Sequence, residues 1–246
     1  MVFDAATVTL ILFVLLAFTT EAALGFGATL VTVTLGSLVM PVDVVLPAFV
    51  PINVLLSMRL GWSNREHMRL DLVFRRILPL MAIGLPVGII AFAELDSGLL
   101  VRIFGAFVVV LAVLELWRAR YAPPPSQHKG TLFEGVLLVL GGVVHGAFGT
   151  GGPMVVYVSG RLMPDKAEFR ATLAALWLIL NIVLFTSHII GGRFTTHSAW
   201  LAAAFIPALV LGLVFGNALH HKIPAERFRP VVFATLAIAG LVLVLR

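Results

Sequence analysis

The sequence predicts an all-α polytopic membrane protein with two homologous, inverted repeats, each made of a glycine-broken helical hairpin and three transmembrane helices. Composition, a row of apolar segments and a recurring motif order support this prediction. Of 246 residues, 60% are hydrophobic and 12% charged, and the mean hydropathy is +1.07. Soluble domains carry about 25% charged residues. The bilayer is therefore the expected solvent, and no length remains for a separate soluble domain.

Eight apolar segments follow one another along the chain. They cover residues 7–39, 42–58, 72–93, 98–117, 131–160, 167–190, 197–219 and 227–245. A spanning helix needs roughly 20 apolar residues, so the first and fifth segments are too long for one simple span. Glycines interrupt both. Each is either one broken, tilted span or a hairpin that returns to the side from which it entered.

The two halves of the chain share an ordered set of residues. Pro79, Gly84, Leu85 and Gly88 recur, shifted by 128, as Pro207, Gly212, Leu213 and Gly216. In the same order, Ala147-Phe148-Gly149 echoes Gly25-Phe26-Gly27, and Met163-Pro164 echoes Met40-Pro41. Glycine also favours close helix packing in membranes, so packing or a kink could each explain Gly84 and Gly88. The order predicts an N-terminal repeat over 1–120, a cytoplasmic linker over 121–130 and a C-terminal repeat over 131–246.

The distribution of Lys and Arg separates the two topologies. Cytoplasmic loops collect basic residues. Two hairpins would place 14 basic residues on one side of the membrane and 3 on the other, whereas two broken spans would give 10 and 7. The sequence therefore favours hairpins, inverted halves and extracytoplasmic termini.

The two glycine-rich segments are the candidate substrate site. Unwound backbone inside a bilayer leaves N–H groups that survive only beside protein or water, and such breaks bind anions in transporters. The two breaks are expected to meet near the midplane and to offer bare amides. The candidate residues are Gly25, Phe26, Gly27, Ala28 and Thr29 in the first segment, and His145, Phe148, Gly149, Thr150, Gly151 and Gly152 in the second. The alternative is that these glycines only pack helices.

Polar and ionisable residues inside apolar segments are further candidates, because they are costly in lipid. Glu21 and His145 each precede a break, and either could handle a proton; Glu21 could also simply pair with a base such as His145. Arg170 could neutralise an entering anion or serve only as a topology charge. The secondary candidates are Asn53, Asn181 and Trp177, for which interhelical packing and hydrogen bonding are the competing explanation.

No pattern typical of an enzyme, a nucleotide site or a metal site occurs, and the chain has no cysteine. The sequence thus predicts a gradient-driven or passive transporter without a cofactor, in contact with lipid and a small anion, not with nucleic acid. A permease for a carboxylate or a cation is an alternative, and so is an intramembrane enzyme or assembly factor. The oligomeric state stays open, a homo-oligomer included.

The glycine motifs resemble those of the TauE/SafE family of sulfite and organosulfonate exporters. The resemblance rests on Leu24-Gly25-Phe26-Gly27-Ala28, on the segment 146–153 and on Phe169-Arg170-Ala171-Thr172-Leu173. In the first motif Ala28 and Thr29 stand where the family usually has more glycine. The resemblance implies inner-membrane export of sulfite, sulfoacetate or a related sulfur anion, with coupling to protons as one mode.

Overall fold

The computed structural model describes residues 4–24, 26–63, 65–121, 132–163, 165–222 and 225–245, and this part of the chain is helical without strands. The helices are α1 (Ala5–Leu24), α2 (Ala28–Gly36), α3 (Val42–Ser63), α4 (Leu70–Leu72), α5 (Leu78–Glu94), α6 (Ser97–Tyr121), α7 (Leu132–Phe148), α8 (Gly152–Leu162), α9 (Lys166–Ile190), α10 (Thr196–Lys222) and α11 (Ala225–Leu245). A π-helical turn, Val73–Ile77, joins α4 to α5. The all-helical prediction is confirmed.

Within the described residues, six helices are long and apolar enough to cross a bilayer. They are Ala5–Ala23, Val42–Ser63, Leu70–Glu94, Ser97–Arg118, Ala167–Ile190 and Thr196–Leu219. This confirms the polytopic membrane class. The predicted linker falls almost wholly on residues 122–131, which lie outside the described part of the chain.

Each of the two long glycine-interrupted segments forms two helices that pack against each other. α2 has 9 residues and α8 has 11, so at about 1.5 Å per residue neither can cross a core of about 30 Å. α2 packs on α1, and α8 packs on α7. These contacts favour the hairpin interpretation over the single tilted span.

The described chain forms two compact units, and each unit takes helices from both halves. Unit 1 comprises 1–52, 95–123 and 192–246, and unit 2 comprises 53–94 and 124–191. In unit 1, α1 packs on α10 and α6 on α11; in unit 2, α5 packs on α7. The inverted relation of the halves and the predicted repeat boundaries remain predictions.

Glycines bring α5 and α7 of unit 2 into backbone contact. A Cβ built on Gly84 would lie 2.0 Å from the carbonyl oxygen of Val139, and one on Gly88 would lie 2.0 Å from that of Val143. The helix axes can approach this closely only because no side chain intervenes. Close packing is therefore a role that the structure shows for these glycines.

The corresponding glycines of unit 1 pack in the same manner. A Cβ on Gly212 would lie 2.6 Å from Cβ of Phe18, and one on Gly216 would lie 2.4 Å from Cβ of Ala22. The motif that recurs at a shift of 128 thus contacts a glycine-broken hairpin in each unit: α1 in unit 1 and α7 in unit 2.

A partly buried ion pair adds to the contact between α7 and the segment that leads into α5. Nη2 of Arg76 lies 3.0 Å from Oε2 of Glu134, whose side chain is 4% exposed. The pair fixes the beginning of α7, the helix whose other end carries His145.

Candidate anion-binding site

The first break separates α1 from α2, and a carboxylate already occupies the start of α2. Oε2 of Glu21, which is 5% exposed, accepts a hydrogen bond of 2.8 Å from the N–H of Ala28. Gly27 caps α2 with φ 109° and ψ −3°, a left-handed conformation that disfavours any other residue. Phe26 and Thr29 are buried beside it. Gly25 lies outside the described residues.

The bond from Ala28 to Glu21 gives a stability prediction. Glu21→Ala leaves a buried N–H without this acceptor, and we expect it to lower the free energy of unfolding by about 1–3 kcal/mol. Glu21→Gln keeps an oxygen acceptor and should cost less. Thermal unfolding of the detergent-solubilised variants measures the difference. Equal losses for both variants would show that the charge, and not the cap, is what stabilises the break.

The second break, residues 149–151 between α7 and α8, closes on His145. The N–H of Gly149, which has φ 65°, donates to the carbonyl oxygen of His145 at 2.7 Å. The N–H of Gly151 donates to Nδ1 of the same histidine at 3.3 Å. Phe148 and Thr150 are buried around this turn, and Gly152 begins α8.

These contacts change the expected chemistry of the breaks. Sequence reasoning expected bare amides, but the N–H groups of Ala28, Gly149 and Gly151 all have acceptors in the structure. The acceptors come from Glu21 and His145, each placed four residues before the first residue of its break. Short-range side-chain acceptors of this kind are a common answer to the unpaired amides at a helix start.

At the second break, side chains and not backbone amides carry the polar groups that could bind a solute. Because Nδ1 of His145 accepts from Gly151, the neutral imidazole carries its proton on Nε2. His145 is 1% exposed, and its Nε2 has no hydrogen-bond partner among the described residues. The ring stacks on Trp177 of α9, with centroids 5.6 Å apart and an interplanar angle of 7°.

Asn181, one turn beyond Trp177 on α9, lies beside the imidazole. It is 1% exposed, and neither its Nδ2 nor its Oδ1 is hydrogen-bonded within the described chain. Buried polar groups are rarely left unpaired. The His145 Nε2–H and the Asn181 amide are thus two buried polar groups that lie side by side, and no other described residue pairs with either side-chain group.

The remaining candidates lie on α9 and α3. Arg170 is partly buried in the second turn of α9. It precedes Trp177 by seven residues and Asn181 by eleven, spacings that return to one helix face. Asn53 is buried at 5% exposure in α3, and it is counted within unit 2. The structure thus brings His145, Trp177 and Asn181 together.

Comparison with known proteins identifies the family. The model of the family described as "Sulfite exporter TauE/SafE" matches residues 10–243. The chain belongs to the TauE/SafE family. This TauE/SafE member is also similar to the "Probable inner membrane transporter protein TsaS" of Comamonas testosteroni. The two are 30% identical over 202 residues, and this alignment covers 77% of the chain and 78% of that relative. No solved structure matches the chain.

The family assignment confirms the resemblance drawn from the glycine motifs, and it identifies the TauE/SafE chain as a membrane transporter. The sequence analysis missed one regularity among the candidate residues, and the structure adds a second. Asn53 and Asn181 are separated by the same 128 residues as the Pro/Gly motif. Glu21 and His145 precede the first residue of α2 and α8, respectively, by the same seven residues.

Proposed function

We propose that this TauE/SafE chain exports a small sulfur-containing anion, sulfite or an organosulfonate, across the inner membrane by alternating access. The supporting observation is the pair of buried donors, His145 Nε2–H and the Asn181 amide, at the start of α8. The class of solute is taken from the family, which is described as sulfite exporters. The Comamonas testosteroni relative is named as an inner membrane transporter, and this supports the inner membrane as the location.

An oxyanion suits these two donors for a physical reason. An unfilled buried donor costs about 1–3 kcal/mol, and a hydrogen bond to a charged acceptor is among the stronger ones in proteins. The N-terminal end of α8 adds the positive end of a helix dipole. Trp177 holds the imidazole plane by stacking, so Nε2 is oriented before the solute arrives.

The proposal places the solute at the second break because the first already holds a carboxylate. Glu21 accepts from Ala28 at the position where an exogenous anion would accept from α2. Phe26, Gly27 and Thr29 then shape that break around the internal anion. Phe148, Gly149, Thr150, Gly151 and Gly152 give the second break its turn, with the solute bound by side chains.

Arg170 serves in this proposal as the first cationic contact of the solute. It lies on the helix face that carries Asn181, about 16 Å away along α9 at 1.5 Å per residue. A guanidinium at one end of a helix face and donors further along it would attract an anion and then bind it.

Proton coupling forms the finer part of the proposal. Glu21 and His145 are buried ionisable groups, each beside a helix break. Ionisable groups inside membrane proteins commonly carry protons for transport. We expect an imposed pH gradient to change the rate of anion flux, and a flux that does not respond to it would remove the coupling.

Flux from proteoliposomes tests the function. Purified protein is reconstituted into vesicles loaded with radiolabelled sulfite, and efflux is measured with and without external sulfite or sulfoacetate. We expect protein-dependent exchange that both anions support and that empty vesicles lack. Exchange supported by acetate or by an amine cation, but not by either sulfur anion, would favour the alternative permease and overturn the proposed substrate.

A further inference from the structure

The second half of α3, which belongs to unit 2, ends in a surface that combines apolar side chains with arginine. Leu55, Met58, Arg59 and Trp62 follow the i, i+3, i+4 and i+7 spacing of one helix face. All four side chains are exposed, and Trp62 is 73% exposed. Tryptophan beside arginine at the end of a spanning helix is typical of the level of lipid headgroups.

A second arginine lies over the tryptophan. Arg65 begins the short 3-10 helical turn after α3, and its guanidinium carbon is 5.1 Å from the centroid of the Trp62 ring. Such a contact uses the face of the guanidinium and leaves the N–H groups at its edge to bind oxygen atoms. Arg59 precedes Trp62 by one turn, so two arginines flank one exposed indole ring. The α3 surface thus consists of Leu55, Met58, Arg59, Trp62 and Arg65.

No carboxylate in the described part of the chain neutralises these two arginines. Asp71 and Glu168 lie beside Arg69 instead, with N–O distances of 3.1 and 3.9 Å. Glu66 is exposed, and it forms no ion pair with either arginine among the described residues. The α3 surface therefore presents two positive charges, without a carboxylate partner, next to hydrocarbon.

We infer that the α3 surface binds an anionic phospholipid such as phosphatidylglycerol, with the phosphate between Arg59 and Arg65 and an acyl chain along Leu55 and Met58. Guanidinium groups bind phosphate oxygens in pairs, and each basic residue near the membrane surface strengthens the attraction to anionic lipid. A soluble anion could use only the arginines, whereas a lipid matches both parts of the surface. The inference does not depend on which solute the protein transports.

Quenching by nitroxide-labelled lipid tests the inference. The chain has no cysteine, so the variant Met58→Cys places a single fluorophore on the α3 surface. The labelled protein is titrated in neutral detergent with phosphatidylglycerol or phosphatidylcholine that carries a nitroxide on an acyl chain. We expect phosphatidylglycerol to reach half-maximal quenching at a mole fraction about tenfold lower, because only its headgroup carries a net charge. Equal quenching by the two lipids would overturn the inference.

Three changes in the labelled protein locate the headgroup. Arg59→Gln combined with Arg65→Gln should reduce quenching by phosphatidylglycerol to the level of phosphatidylcholine. Trp62→Leu should weaken it about two- to fivefold, because Arg65 loses the ring beneath it; this variant keeps the site testable if the double variant does not fold. Arg75→Gln is the matched control, since Arg75 is exposed in the same unit and forms no ion pair among the described residues. An equal loss in Arg75→Gln would indicate general attraction to charge and overturn the site.

A soluble phosphate and a second copy of this chain are the competing occupants. Glycerophosphoglycerol, which is the headgroup without acyl chains, is therefore added to the titration. Quenching that persists supports a lipid site, whereas complete displacement would assign the arginines to a soluble anion and overturn the inference. Size-exclusion chromatography addresses the second copy. A dimer that the double variant converts to a monomer, with the lipid preference unchanged, would assign the α3 surface to self-association instead.

Discussion

Replacement of Gly88 by alanine is expected to destabilise unit 2 strongly. Its Cβ would lie 2.0 Å from the carbonyl oxygen of Val143 and 2.7 Å from the amide nitrogen of Ala147. Real Cβ atoms essentially never approach heavy atoms closer than 3.0 Å, and the obstructing atoms are backbone that cannot rotate away. Separating α5 from α7 should cost about 3 kcal/mol or more, a large part of the stability of a typical protein.

The reciprocal position on α7 should behave alike. A Cβ on Gly146 would lie 2.2 Å from the carbonyl oxygen of Leu85. Gly135 lies on the same helix, where a Cβ meets nothing within 4 Å. We expect Gly88→Ala and Gly146→Ala to lower the yield of monodisperse protein several-fold in size-exclusion chromatography, and Gly135→Ala to match the wild type. Wild-type yield and melting temperature for Gly88→Ala would contradict this packing.

The second large effect is expected on transport. His145→Phe retains a ring that can stack on Trp177, but it removes the acceptor for Gly151 and the Nε2–H donor. Asn181→Leu removes the adjacent amide and keeps a similar volume. Because each hydrogen bond to a charged solute contributes about 1.5–3 kcal/mol, either variant should bind the anion about 10- to 100-fold more weakly.

Sulfite exchange in proteoliposomes measures this effect as a rise in the half-saturating concentration or a loss of flux. Thr186→Val on α9 is the matched control. Thr186 is exposed, and its hydroxyl donates only to the carbonyl oxygen of Ile182 in its own helix. It should leave exchange unchanged. Wild-type kinetics in both His145→Phe and Asn181→Leu would exclude the donor pair as the substrate site.

Hydropathy predicted the helices well, because a transmembrane span is a local property of about 20 residues. The predicted segments 98–117 and 167–190 lie within α6 and α9, for example. The glycine-rich segments also marked the places where α1 and α7 end. Local signals of this kind need no knowledge of the partner helix.

The register of the breaks was harder to predict. The match of Gly25-Phe26-Gly27 to Ala147-Phe148-Gly149 implies a shift of 122, whereas the helix ends pair residues 25–27 with 149–151, a shift of 124. The match between the two sequences aligned Phe26 with Phe148. The helix boundaries instead follow Glu21 and His145. Each side chain accepts a bond from a backbone N–H at the beginning of the next helix or just before it, so each lies the same seven residues before that helix.

Contacts between distant residues were not predictable from one sequence. Arg76 and Glu134 are 58 residues apart, and nothing near either one identifies the other as its partner. The stacking of His145 on Trp177 similarly depends on how α7 and α9 pack. Sequence reasoning could name both residues as candidates, but only the fold makes them neighbours.

The pairing of α1 with α10 also constrains how the protein is made. α1 comprises Ala5–Leu24 and α10 comprises Thr196–Lys222, so the ribosome synthesises most of the chain before the helix that packs on α1 reaches the membrane. During this interval the surface of α1 that packs on Gly212 and Gly216 must face lipid, a chaperone or a temporary neighbour. A nascent chain that stalls before residue 196 would therefore be a substrate for membrane quality control, however well its earlier helices had been inserted.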